Sequence, residues 1–211
     1  MTQYFEVHPQ NPQPRLIQQA ADLLREGGLL VYPTDSTYAL GCALHATAAQ
    51  ERLRQIRQLD LRHDLSLLFP DISRVTEYAK VDNAAFRLLK QATPGPFTFI
   101  LPASRDLPRK LADPRKKTIG IRIPAHPVSH ALLASFGEPL LNSTLTLPGD
   151  DRVMTDPADI RDRLKRQVDL ILDGGAGGLA PSTVLDLTVW PPQVMRHGCG
   201  DPQSIGIEMQ N

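Results

Sequence analysis

Only two cysteines occur in the 211 residues, Cys42 and Cys199. They form no metal or redox motif, and two lone thiols fit a reducing compartment. Aromatic residues make up 5% of the chain, so the core must be built from aliphatic side chains. Neither sign of charge dominates: Lys+Arg and Asp+Glu number 23 each. Bulk charge therefore points to no polyanionic partner, and any such partner needs a local basic patch. No apolar run is long enough to span a membrane. The opening residues carry Pro9, Pro12 and Pro14 and no apolar leader, so no secretory signal is expected and the chain reads as cytoplasmic. Repeats, low-complexity blocks and a Walker A sequence are missing too. What remains is an ordinary globular composition, 41% hydrophobic and 22% charged, long enough to bury a full core. A single domain over residues 1–211 is expected.

The organising stretch is 29–42. Residues 29–32 form a wholly apolar run after Gly27 and Gly28, which suits a strand buried on both faces. Pro33 cannot donate to a ladder and should end it. Thr34, Asp35, Ser36 and Thr37 follow. They make either a turn that bonds its own backbone or a ligand site outside a strand end. Around this stretch, residues 4–7 read as an edge strand. A helix opens at Pro14 and closes at Gly27. Thr47 and Gln50 have capping-box spacing for a second helix reaching about residue 58. Residues 65–69 and 97–101 read as strands, with Asp71 and Asp82 as helix caps between them and Phe86, Leu88 and Leu89 as apolar contacts. Residues 118–123 alternate strictly, with Ile119, Ile121 and Ile123 on one face and Thr118, Gly120 and Arg122 on the other. Pro127 starts a helix. Residues 139–141 lead into Asn142-Ser143-Thr144-Leu145-Thr146, a second apolar run emptying into hydroxyls. A polar helix over 159–167 and strands over 168–172, 183–187 and 193–196 complete the chain. Some neighbouring strands have no helix between them. That favours an α/β fold with a mixed, twisted open sheet and helices on its faces. The tail after about 198 is expected to be poorly ordered.

Several local patterns carry less than they suggest. Gly175-x-Gly177-x-x-Ala180 resembles a dinucleotide fingerprint, but Pro181 and a strand follow where a helix is required. His126 and His130 are four apart, yet Pro127 lies between them and no third ligand is evident. A cap and a surface histidine fit better. Cys42 reads as a small buried side chain. Two basic stretches stand out: Arg52, Arg54, Arg57 and Arg62, then Arg105, Arg109, Lys110, Arg115, Lys116, Lys117 and Arg122. Each is either a solvated face or a phosphate-handling surface. With no interleaved aromatics, shape-reading of double-stranded RNA is the form of binding left open.

A series of blocks resembles the YrdC-like family and, within it, the YciO-type branch. They are Tyr32-Pro-Thr-x-x-x-Tyr38-x-Leu-Gly41, Arg57-x-Leu59 with His63 and Leu65, and Thr93-Pro-Gly-Pro-Phe-Thr-Phe. After them come Thr118-Ile-Gly-Ile-Arg-Ile-Pro124, Gly137-Glu-Pro-Leu-Leu-Asn-Ser-Thr144 with Gly149, Pro181-Ser-Thr-Val-Leu-Asp186, and Arg196-x-Gly198. The resemblance runs from about residue 16 to 198. It implies a large concave basic cavity and binding of ATP or AMP, with double-stranded RNA or tRNA as partner. The activity it implies makes threonylcarbamoyl-AMP and pyrophosphate from threonine, bicarbonate and ATP, for tRNA modification, with Mg²⁺ carried by the ATP. By position, Thr34, His63, Arg122 and Ser182 would hold the threonine side, and Arg57, Thr118, Thr144 and Arg196 the nucleotide. No acid–base dyad is assigned, since attack on a phosphate needs positioning and charge stabilisation. The RNA candidates are Arg109, Lys110, Arg115, Lys116 and Lys117. Two departures are visible. The family's Lys-x-Arg stands here as Arg57-x-Leu59, and its Ser-Thr-Ser-Ala-Asn as residues 142–146. An RNA- or tRNA-binding protein without synthase activity is the alternative reading.

Overall fold

The computed structural model describes residues 1–59, 65–105, 107–108, 111–112, 115, 117–150 and 152–207. Strands are β1 (Gln3–Glu6), β2 (Leu29–Pro33), β3 (Tyr38–Ala43), β4 (Ser66–Leu68), β5 (Phe97–Pro102), β6 (Thr118–Arg122), β7 (Leu140–Thr144), β8 (Leu170–Asp173), β9 (Thr183–Asp186) and β10 (Gln193–Arg196). Helices are α1 (Pro14–Arg25), α2 (Thr47–Arg57), α3 (Val75–Tyr78), α4 (Asn83–Ala92), α5 (Pro127–Phe136) and α6 (Pro157–Leu164). The strands form one sheet in the order β1-β8-β2-β3-β7-β4-β6-β5-β9-β10. The β1–β8, β2–β8, β4–β6 and β5–β9 pairs are parallel. The remaining pairs, among them β2–β3 and β3–β7, are antiparallel. The expected mixed sheet is the observed one, and helices flank it.

Burial follows the apolar pattern. Every residue of β2, β3 and β6 is buried. The core is aliphatic, with Tyr32, Tyr38, Phe69 and Phe99 as its largest enclosed rings. No helix among the described residues is long and apolar enough to cross a membrane.

The turn after β2 leads straight back. Thr34 N–H donates to the Thr37 carbonyl at 3.1 Å, and β3 returns antiparallel beside β2. This hairpin was not foreseen, because Tyr-Ala-Leu-Gly-Cys-Ala carries no β-branched residue and includes a glycine. Gly41 is there for space. A Cβ at that position would lie 2.7 Å from the Tyr32 ring across the ladder.

Three local expectations are corrected. Thr47 is not a cap: Ala46 occupies that place without a side-chain bond, and the Gln50 amide donates to the Leu44 carbonyl at 2.8 Å. Asp71 bonds Ser73 within its own turn, and Arg74 precedes α3. Phe86 is 44% exposed, because the buried stripe of α4 runs through Ala85, Leu88, Leu89 and Ala92 instead. The segment past Gly198, expected to be loose, is described as far as Ile207. Pro202–Ile205 forms a 3₁₀ turn whose Pro202 and Ile205 are buried, and Gly200 sits against Phe97.

His126 caps α5 as its position suggested, accepting from Val128 N–H at 3.2 Å through Nδ1, and His130 is exposed. Burial holds the His126 pKa below its ordinary value. A depressed imidazole binds protons more weakly folded than unfolded. Its contribution is therefore complete above the unfolded value of about 6.5 and lost as pH falls through the lower folded value. Between pH 7 and 5 the melting temperature should drop less steeply in His126→Asn, whose cap does not titrate. Parallel profiles would remove His126 from the acid response.

Candidate functional site

Strand alternation builds the site. Thr118, Gly120 and Arg122 share one face of β6, as the sequence pattern indicated, and that face lines a pocket of about 380 Å³ in the middle of the sheet. Thr98 of β5, Ser66 of β4 and the Asn142-Ser143-Thr144 end of β7 line it from the neighbouring strands. Arg57, the last residue of α2, reaches it from one side, and Ser182 and Arg196 from the other. Six of the eight residues proposed for threonine and nucleotide thus meet around one cavity: Arg57, Thr118, Arg122, Thr144, Ser182 and Arg196. Thr34 sits behind Arg122 and receives a hydrogen bond from it at 3.1 Å. His63 lies outside the described residues.

Arg122 is 2% exposed. One of its terminal nitrogens donates to Thr34 Oγ1, to Ser36 Oγ at 2.7 Å and to the Asp35 carboxylate at 2.5 Å. Asp35 uses its other oxygen to accept from Ala125 N–H at 2.9 Å. The hydroxyl-rich turn therefore does both things the sequence left open: it bonds its own backbone and it seats an arginine. Among the described residues Arg122 Nε has no partner, although it is buried. A buried donor left open beside a cavity fits an anion there.

The other two arginines have hydrogen bonds but no carboxylate among the described residues. Arg57 donates to Ser143 Oγ at 3.2 Å and to the Thr146 carbonyl. Arg196 donates to the Ser182 carbonyl at 2.9 Å. Burial, followed by the charge of Arg196, lowers the Arg57 pKa from its ordinary value. Burial and the charge of Arg122 do the same to Arg196. Mutual repulsion among partly buried cations is relieved by a polyanion.

Among the polar side chains of the pocket, Ser66, Thr98, Asn142 and Ser143 had no site role in the sequence reading. Thr98 carried a signal, being the polar position inside the apolar run Phe-Thr-Phe-Ile-Leu. Ser66 and Asn142 carried little, because their importance comes from β4–β7 pairing. Of the RNA candidates, Arg115 and Lys117 are exposed, while Arg109, Lys110 and Lys116 lie outside the described residues. Cys42 is buried, with its thiol pushed up to about 12 by desolvation, which suits packing rather than nucleophilic attack. Gly174, Gly177 and Gly178 lie against Pro33, Tyr38 and Ser36, so they serve close approach to the hairpin.

Comparisons with known proteins agree with this fold. A family model named for Sua5, YciO and YrdC, described as "Telomere recombination", matches residues 22–198. YciO of Escherichia coli (strain K12) is 50% identical over 201 residues, which cover 95% of this chain and 98% of that protein. A threonylcarbamoyl-AMP synthase of Halorhodospira halophila is 33% identical over 83% of this chain and 91% of its own. The crystal structure of E. coli YciO superposes with a TM-score of 0.93 over 97% of this chain and all of that one. P. abyssi Sua5 complexed with L-threonine superposes with a TM-score of 0.88 at 27% identity, over 97% of this chain and 61% of that one.

Proposed function

The chain belongs to the Sua5/YciO/YrdC family, and from that premise we propose that its central pocket binds ATP and threonine and joins them, with bicarbonate, into threonylcarbamoyl-AMP for tRNA modification. The observation that carries this reading is the convergence of Arg57, Arg122 and Arg196 on one pocket rimmed with hydroxyls. Threonine and bicarbonate first give a carbamate and water. A carbamate oxygen then attacks the α-phosphorus of ATP. The bond from that phosphorus to its bridging oxygen breaks, and pyrophosphate leaves with the electron pair. Negative charge gathers on the phosphoryl oxygens as this happens, and fixed guanidinium donors in a partly desolvated site stabilise it. Arg57, Thr118, Thr144 and Arg196 are assigned to the nucleotide. Thr34, His63, Arg122 and Ser182 are assigned to threonine and its carbamate. The described residues offer no cluster of acidic, histidine or cysteine side chains for Mg²⁺. The ion would arrive on the phosphates of ATP, and the roles given to the arginines do not depend on it.

The test is incubation with ATP, threonine and bicarbonate, reading pyrophosphate and threonylcarbamoyl-AMP. Threonine-dependent release is expected. ATP bound without release would leave a nucleotide-binding protein lacking the synthase step, and no binding of either substrate would end the reading. A separate check falls on Arg196. Arg196→Ala should weaken ATP binding by about 1.5–3 kcal/mol, the range for a hydrogen bond to a charged group. Unchanged affinity by calorimetry would remove Arg196 from the nucleotide side.

A further inference from the structure

Beneath the arginines runs a short polar relay. Tyr32 is fully buried, and its hydroxyl donates to Asn142 Oδ1 at 2.9 Å. Burial raises the phenol pKa, so the group stays protonated and stays a donor. The Asn142 amide is thereby oriented: its oxygen faces Tyr32 and its NH₂ faces Ser66. Asn142 Nδ2 donates to Ser66 Oγ at 3.1 Å. Ser66 Oγ is thus an acceptor on its protein side. Its own proton has no acceptor among the described residues, and Ser66 lines the pocket.

The space in front of that proton is also shaped. Ser66 pairs with Gly120 across the β4–β6 ladder. A Cβ at Gly120 would lie 3.1 Å from Ser66 Cβ and 3.3 Å from Thr98 Cγ2. Glycine therefore leaves a gap at the pocket floor, and two residues to either side of it the same strand face presents Thr118 and Arg122. Arg122, whose Nε is buried and unpartnered among the described residues, lines the same pocket.

We propose that Ser66 is a substrate-contacting donor, aimed by the Tyr32–Asn142 relay at an anionic oxygen seated over Gly120, and that Asn142 is its positioning residue. The inference rests on the reading of the pocket as a site for ATP and threonine. It adds a residue to which that reading gives no role. The anionic oxygen belongs either to a phosphate of ATP or to the carboxylate of threonine, and separate titrations tell which.

Calorimetry with ATP and with threonine on the full chain decides it. Ser66→Ala should lower the affinity for one of the two by about ten- to a hundredfold, as expected for losing a hydrogen bond to a charged group, and leave the other unchanged. Gly120→Ala should weaken the same ligand by filling the gap. Asn142→Leu should also weaken it, and in the Ser66→Ala background should cause no further loss, since it acts through Ser66. A merely structural Asn142 would lower thermal stability equally in both backgrounds and leave affinity alone. If the parent binds ATP or threonine and Ser66→Ala binds each as tightly, this inference falls while the proposed function stands. If the parent binds neither, the proposed function falls, and inorganic phosphate replaces them in the same comparison. Equal or absent phosphate binding in parent and Ser66→Ala then overturns the donor role as well.

Discussion

Replacing Arg122 by methionine is expected to destabilise the fold by about 3–5 kcal/mol, the range for breaking a buried ion pair from one side. The side chains of Arg122 and Asp35 are 3% and 10% exposed, so water cannot take over the carboxylate when the guanidinium goes. Asp35 would keep its bond to Ala125 N–H and lose its charge partner. Thr34 Oγ1 and Ser36 Oγ would lose a shared donor at the same moment. Arg122→Lys should fall between parent and Arg122→Met, because one ammonium is a point charge where the fork reaches three oxygens. Adding Asp35→Asn to Arg122→Met should restore part of the loss, since no unpaired charge then stays buried. Denaturant unfolding measures all four proteins. A loss under about 1 kcal/mol for Arg122→Met would mean that the pair behaves like an exposed one and that the turn is held by its backbone.

That ion pair also marks where sequence reading stops. The strand at 29–32, the alternation over 118–123 and the mixed sheet were legible because apolar periodicity reports burial directly. Convergence of Arg57, Arg122 and Arg196 came from the resemblance, not from spacing. The three residues sit on α2, β6 and β10, and only the strand order brings them together. Thr34 and Ser36 were legible as turn formers, while their work as acceptors for Arg122 depends on β6 lying within reach. Leu59 is a different case. The family pattern has an arginine at this position, so the departure removes a cation from the motif. In the structure Leu59 packs against the hydrophobic core and does not line the pocket.

The glycine run gives the second large effect. Gly178→Ala should destabilise the protein by about 3 kcal/mol, at the upper end for overpacking, and disturb the pocket with it. A Cβ on Gly178 would stand 1.9 Å from the Ser36 carbonyl oxygen. That oxygen is backbone, inside the turn that seats Arg122, and cannot rotate away. The segment cannot easily lift either. Gly177 N–H donates to the Thr155 carbonyl at 2.8 Å, and the Tyr38 hydroxyl donates to the Gly175 carbonyl at 2.7 Å while accepting from Gly174 N–H at 3.1 Å. Either the loop breaks these bonds or Ser36 moves, and a moved Ser36 loosens its contact with Arg122. Gly175 supplies the contrast within the same run. Its φ of +89° is left-handed, and a Cβ there would meet nothing within 4 Å. Gly175→Ala should therefore show only the conformational penalty of about 1–2 kcal/mol, with ATP affinity unchanged. Melting curves and ATP calorimetry on both variants separate the two causes. If Gly178→Ala loses no more stability than Gly175→Ala and binds ATP like the parent, the loop does not clamp the turn and the pocket is organised by the sheet alone.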